Sequence, residues 1–252
     1  MLRTRVIPCL LLKGRGLVKT VHFAQPKYVG DPINAVRIFN GKEVDELMLL
    51  DITASEEGRG PNFELIAEIA EECFMPMAYG GGITTMSDIV RVLQLGVEKV
   101  VLNASALNRP ELVTEAAREF GAQAIVVSVD AKRKLFGGYQ VMARRGHQGT
   151  GRDPLVFAEE AQDLGAGEIL LNVVERDGSM EGMDLKLIHE VSARISVPLI
   201  AVGGVGSLAH IREAKDAGAS AIAAGSFFVF QGPHRAVLIS YPEYDQLTET
   251  LG

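Results

Sequence analysis

Two rhythms of apolar and polar positions alternate along the chain. Short, mostly aliphatic runs recur as RVIPCLL (5–11), DELMLL (45–50), PMAYG (76–80), KVVLN (99–103), AIVVSVD (124–130), EILLNV (168–173), PLIAVG (198–203) and AIAAGS (221–226). Between them lie segments such as NFELIAEIAEECF and MSDIVRVLQLG, with apolar residues three and four apart and often a closing Gly. Strands alternating with amphipathic helices predict parallel βαβ units. Eight such units in 252 residues is the size of one α/β domain, a (β/α)8 barrel over 1–252. An open, doubly wound sheet is the other architecture this pattern allows.

An internal repeat favours the barrel. LLD (49–51) aligns with LLN (170–172), GGI (81–83) with GGV (203–205), and LGVEKVVLNAS with AGASAIAAGSF, at a separation of about 120 residues. A four-plus-four duplication of half-barrels closes into one barrel without a linker. The longest loops follow strands one and five. Lys13 to Gly30 reads as a flexible Gly- and Lys-bearing loop, and Ala131 to Arg152 as a candidate small hairpin. Both leave the carboxyl ends of strands, where barrel active sites are built and where long loops act as lids. The C-terminal SYPEYDQLTETLG, interrupted by Pro242, is expected to fray.

Composition narrows the function classes. Hydrophobic residues make up 47% of the chain, so a large core can be buried, and the net charge of −7 argues against nucleic acid or an anionic membrane as the main partner. Local glycine loops still bind phosphate without net positive charge. Cys9 and Cys73 have no metal spacing and read as reduced thiols. Arg3 and Arg5 precede only a short apolar run, and no apolar stretch is long enough to span a bilayer, so a soluble cytoplasmic protein is expected. The five histidines are scattered, so no metal and no cofactor are expected. Met75, Met77 and Met86 read as packing residues, and Glu68, Glu71 and Glu72 as a solvated helix face.

The chemistry concentrates at strand ends. Gly203 and Gly204 after strand seven, with Gly225 and Ser226 after strand eight, form the arrangement expected of a phosphate-binding barrel. By the repeat, Gly81, Gly82, Asn103 and Ala104 form a second copy across the barrel, which predicts a ligand with a phosphate at each end. Tight βα turns alone would also account for any one of these glycine pairs. Superposing AIVVSVDAK (124–132) on RVIPCLLLK (5–13) sets Lys132 on Lys13 and Asp130 on Leu11. Asp130 therefore reads as a proton-transfer carboxylate without a partner, or as a turn cap.

From RVIPCL to SFFVF the chain resembles the cyclase subunit of imidazole glycerol phosphate synthase, a HisF-like barrel. VKTVHF, GDP, DELMLLDITASEEGR, GGGI, IVVSVDAKR, LGAGEILL and RDGSMEG carry the likeness, and DITAS favours this subunit over its sister isomerase barrel. The resemblance implies a (β/α)8 barrel that receives ammonia at its lower face from a glutaminase subunit. It joins that ammonia to a bisphosphorylated ribulosyl-imidazole carboxamide, then closes and cleaves the product. It further implies that Lys19 is the loop lysine, that Asp51, Asn103 and Asp177 contact substrate, and that Asp130 is the second catalytic carboxylate. Leu11 stands where the family has its first catalytic aspartate, Val202 replaces a phosphate-side serine, and Ala104 a threonine. Acid/base chemistry needs one group to give and one to accept a proton, so the cyclase reaction is expected to be crippled.

The same resemblance assigns Arg5, Glu46, Lys99 and Glu168 to a charged ring at the ammonia entrance, and Glu98 and Gln123 to the glutaminase interface. Intact entrance and damaged exit, with PCLLLKGRGLVKT and GPHRAVLISYP, resemble a divergent branch encoded among surface-polysaccharide genes. That branch implies a heterodimer with a HisH-like glutaminase, supplying ammonia to an ATP-dependent N-sugar amidotransferase in lipopolysaccharide biosynthesis. A genuine cyclase of histidine biosynthesis and a stand-alone sugar-phosphate isomerase are the other readings.

Overall fold

The computed structural model describes residues 4–232 and 234–252. Arg3, used in the leader argument, and Pro233, inside the GPHRAVLISYP motif, lie outside the described residues. Each apolar run forms a strand because it is buried on both faces, as parallel strands between a core and a layer of helices must be. The eight are β1 (Arg5–Lys13), β2 (Leu47–Asp51), β3 (Met77–Gly80), β4 (Lys99–Leu102), β5 (Ile125–Arg133), β6 (Glu168–Val173), β7 (Leu199–Val202) and β8 (Ala221–Ala224). Each pairs in parallel with the next. β8 closes onto β1 through Arg5–Ala221 and Ile7–Ala223. The result is a closed (β/α)8 barrel, with β2 and β6 on opposite sides as the half-repeat requires, and the open sheet is excluded.

Alternation along the strands divides the core in two. Val6, Leu10 and Leu12 of β1 face the helical layer and join the large outer cluster. Ile7 and Cys9 face the axis with Met48, Ala78, Val101, Val126, Leu170, Ile200, Ala221 and Ala223, capped at the carboxyl end by Leu11, Leu50 and Val202. The outer helices are α1 (Pro32–Asn40), α2 (Phe63–Glu72), α3 (Met86–Gln94), α4 (Glu111–Phe120), α5 (Pro154–Asp163), α6 (Leu185–Ser192), α7 (Leu208–Asp216) and α8 (Tyr244–Leu251). Their starts are written in the sequence. Asp31 and Asp153 cap helices that open on Pro, and Thr85 with Asp88 forms a capping box.

β1 and β5, both nine residues long, run past the barrel into antiparallel hairpins. β1 continues into Gly16–Val21 and Ala24–Gly30, with Leu11 opposite Val18, and β5 into Tyr139–Ala143, with Ala131 opposite Val141. The second was expected as a hairpin. The first was read as a flexible loop and is instead a paired ribbon, because GLVKTV and AQPKYVG carry enough β-forming residues to bond across a tight turn. The expected fraying of the C-terminus is also overturned. Pro242 lies before the helix, where no amide is needed, and Glu243 caps α8 through a box with Gln246. Leu247 and Leu251 are buried, Tyr241 Oη donates to the Val6 carbonyl at 2.9 Å, and Arg212 Nη1 donates to the Thr250 carbonyl at 3.0 Å.

Cys9 and Cys73 are free thiols, buried and half-buried respectively. Glu71 is exposed as expected, while Glu68 and Glu72 are half-buried and carry ion pairs to Arg15 and Arg37. Among the described residues no helix is long and apolar enough to cross a membrane.

If α8 is a structural element, Leu247→Ala should lower the unfolding free energy by about 2–5 kcal/mol, the range for emptying a buried leucine site. Urea unfolding followed by far-UV circular dichroism measures it. An unchanged midpoint would return the segment to a frayed tail.

Candidate functional site

The carboxyl mouth gathers the residues singled out in the sequence. One side of the mouth is lined by Asp51, Gly81, Gly82, Asn103, Ala104 and Asp130, and the other by Lys19, Val202, Gly203, Gly204, Gly225 and Ser226. Leu11, Leu50, Asn172 and Asp177 line both. Leu11 is therefore the waist between the two ends, opposite Asp130 in the half-barrel symmetry.

The glycines have a packing reason to be glycine. A Cβ on Gly81 would lie 2.4 Å from the Asp51 carbonyl oxygen, and one on Gly204 would lie 2.2 Å from that of Gly182. Tight βα turns therefore account for these residues unaided. The anion-site reading rests on what surrounds them. Short helices start beside both ends, at Ala104–Asn108 and Ser226–Val229, and neither has a side-chain cap. Lys19, only 6% exposed, reaches in from the β1 hairpin, and a Cβ on Gly225 would lie 2.0 Å from its ammonium. That ammonium donates to the Cys9 carbonyl at 2.6 Å, and burial lowers its pKa. A cation in that position favours an anion beside Gly225 and Ser226.

Asp130 is half-buried in the wall of the cavity. Burial pushes its carboxyl up to about 7, opposed by the Ser128 hydroxyl and reinforced by the Asp177 charge. Asn103 Nδ2 donates to the Ser128 carbonyl at 3.0 Å and approaches Asp130 Oδ2 at 3.4 Å. A carboxyl near 7 can give and take a proton at neutral pH. Leu11, facing it, can do neither.

Two of the predicted substrate contacts are engaged by the protein itself. Asp51 Oδ1 accepts the amides of Thr53 and Ala54 at 3.0 and 3.1 Å, and its Oδ2 pairs with Arg59 Nη1 at 2.8 Å. Asp177 Oδ2 accepts Thr20 Oγ1 at 2.7 Å and the Phe23 amide at 3.1 Å, holding the β1 hairpin over the mouth. Arg145 adds a strap from Glu56, at 2.7 Å, to the Phe23 carbonyl, at 3.4 Å. The sequence reading missed Asn172. It sits in register with both Asp130 and Val202, and its Oδ1 is buried without a hydrogen-bond partner. The LLD–LLN alignment, which sets Asn172 on Asp51, is the signal that would have found it.

The opposite mouth carries a closed ring of charge. Arg5 bridges Glu46 at 2.5 Å and Glu168 at 2.6 Å, and Lys99 bridges Glu46 at 2.9 Å and Glu168 at 3.1 Å. The side chains of Glu46 and Glu168 are 3% and 10% exposed, and burying charge at that depth is costly unless it is paired, as both are here. Glu98 and Gln123 are exposed on the same face. Glu98 Oε2 accepts the Met77 amide at 2.6 Å, and Gln123 Nε2 donates to the Phe120 carbonyl at 3.0 Å.

Over residues 5–234 the sequence matches the family described as "Histidine biosynthesis protein". A Pseudomonas aeruginosa protein, provisionally named imidazole glycerol phosphate synthase subunit hisF2, is 52% identical over 98% of this chain and 99% of its own. A Leptospira borgpetersenii protein, provisionally named subunit HisF of the same synthase, is 45% identical over 96% of each chain. Imidazole glycerol phosphate synthase subunit HisF of Thermobifida fusca is 42% identical over 91% of each.

The raised Asp130 carboxyl has a signed consequence for stability. Between its ordinary value of 3.8 and about 7 the folded chain keeps a proton that the unfolded chain has released. Stability must therefore fall as pH rises through that window and level off above it. Asp130→Asn should flatten this fall relative to wild type, read from urea midpoints across the window. Parallel curves for the two proteins would mean that Asp130 ionises normally.

Proposed function

The chain belongs to the histidine biosynthesis protein family, and on that premise we propose that it is a HisF-like barrel subunit that conducts ammonia from a partner glutaminase. One contrast carries this reading. The charged ring of Arg5, Glu46, Lys99 and Glu168 is complete at the foot, while at the mouth Asp130 faces Leu11 across a leucine and valine collar. Neutral ammonia crosses an apolar lining such as Ile7, Met48, Val101, Val126 and Leu170 without the desolvation cost that ammonium would meet. Glu98 and Gln123, exposed at the foot, belong to the glutaminase interface in this reading. The acceptor is then a sugar substituent amidated by an ATP-dependent N-sugar amidotransferase, as in surface-polysaccharide assembly, and no cofactor is required.

A second reading has its own support. Relatives such as the Thermobifida fusca protein bear the name of the synthase subunit itself. Asp130, held near 7, and Lys19, buried beside Gly225, retain part of an acid/base site. In that reading the chain is the cyclase, and another group replaces the missing carboxylate.

One measurement tests both readings together, and a second separates them. The chain should co-purify with a class-I glutaminase; isomerase turnover by the barrel alone, without such a partner, would reject both. Supplied with ammonia and the family's bisphosphate substrate, wild type should turn over slowly. Leu11→Asp should raise the rate by about 10²-fold or more, the usual contribution of a placed acid or base, provided that Val202 and Ala104 leave room for both phosphates. Wild-type turnover equal to that of a histidine-pathway cyclase would establish the second reading instead.

A further inference from the structure

The two halves of the mouth descend from one repeat but are unequal in room and charge. From Gly81, Gly82 and Asn103 a cleft of about 1290 Å³ reaches across the mouth as far as Leu11, Asn172 and Asp177, beyond the few hundred needed for a small ligand. The half beside Gly203 and Gly225 leaves about 40 Å³, because the β1 hairpin folds over it and Lys19 fills its floor. A ligand with equal bulk at both ends does not fit this shape.

Charge follows the same division. Arg59, Arg109, Arg144, Arg145 and Arg152 line the large half, and among the described residues no arginine lines the small one. The acids facing the large half are Asp51, Glu56, Asp130 and Asp177. Asp51 is neutralised by Arg59 and Glu56 by Arg145, while Asp177 is turned to the hairpin. Asp130 carries only part of a charge at neutral pH. Arg144 has no acidic partner among the described residues, and it follows Ala143 at the hairpin end with φ of +49°. Arg109 is paired with Glu115 and Arg152 with Glu160 where both are solvent-exposed, and Arg152 also lies over the Phe157 ring at 4.5 Å. Solvent-exposed ion pairs hold their partners weakly, so both guanidiniums can be drawn to a ligand.

We infer that the arginine-lined half is a site for an organic diphosphate, and that the half beside Lys19 takes at most a single anionic group. Guanidiniums grip phosphate oxygens in a planar fork, and three of them exceed what one phosphate in a backbone cradle requires. The remaining volume of the cleft accommodates the organic part. The inference rests on the reading of both glycine ends as anion sites, and the test keeps the two apart.

Calorimetric titration of the full chain in metal-free buffer would compare inorganic phosphate with inorganic pyrophosphate. Pyrophosphate should bind at least about tenfold tighter, as one extra charged hydrogen bond implies. Arg144→Ala should weaken it about tenfold, and the Arg109→Ala/Arg144→Ala double variant about a hundredfold. Arg194→Ala, a surface arginine paired with Glu159 on the outer layer, should leave it unchanged and so controls for net charge. Equal affinities, or pyrophosphate binding indifferent to Arg109 and Arg144, would overturn the inference. Phosphate binding that Lys19→Met abolishes would show in that case that the anion reading survives. Absence of binding by either probe would remove both.

Discussion

Side chains alternate along a strand, so Arg5, Ile7, Cys9 and Leu11 must all face the barrel axis if any one of them does. Closure of β8 onto β1 through the Arg5–Ala221 register sets that alternation. A one-residue slip would expel the whole series to the helical layer and bring Val6, Leu10 and Leu12 inward. A single strand therefore carries a charged foot, an apolar shaft and an apolar mouth in fixed order. The buried carboxylates of Glu46 and Glu168 make the register costly to lose, because each depends on Arg5 standing between them. What the mouth can do chemically is limited by the same alternation. The position that could oppose Asp130 is the fourth inward place on β1, and leucine occupies it.

The duplicated scaffold shows how far two halves can diverge without changing fold. β1 and β5 keep equal length, each runs on into an antiparallel hairpin, and each carries a lysine at the same place, Lys13 and Lys132. Their inward residues differ: Cys9 and Leu11 on one, Ser128 and Asp130 on the other. Cys9 and Leu11 extend the dry lining of the barrel to its rim. Ser128 and Asp130 interrupt it with a polar patch that Asn103 and Asn172 border. A titratable carboxyl and an apolar wall thus stand on opposite sides of one mouth.

Much of this was legible from residues alone, for identifiable reasons. Parallel strands buried on both faces read as unbroken apolar runs, so all eight were visible, and the half-repeat placed them around the barrel. The charged ring was found through its family positions. Local spacing would not have revealed it, because its members are brought together only by closure. Three features resisted reading. The β1 hairpin looked like a loop because Gly14, Arg15 and Gly16 dominate its start, although the flanking residues pair. The C-terminal helix was discounted because Pro242 was weighed as a breaker, when its place before the cap makes it harmless. The internal partners of Asp51 and Asp177 were invisible, since a sequence does not show which of a carboxylate's acceptors are already engaged.

The engagement of Asp177 bears on how anything enters the smaller half of the mouth. Its carboxylate accepts from Thr20 and the Phe23 amide while its backbone carbonyl accepts from the His22 amide at 2.9 Å. Hydrogen bonds to a charged group contribute about 1.5–3 kcal/mol each, so this latch is of the same order as the charge-assisted contacts an anion could make beside Lys19. An anion meeting Lys19 and the amides near Gly225 therefore has enough interaction energy to bind under the hairpin, but too little to be indifferent to it. The hairpin also carries the lysine that would hold that anion, on the strand Gly16–Val21 between Thr20 and Val18. Lys19 and Thr20 are neighbours on one strand, so an anion held by Lys19 and the latch held by Asp177 are coupled through that strand. The arginine-lined half meets the same hairpin through Arg145, which donates to the Phe23 carbonyl, so both ends of the mouth are tied to one ribbon.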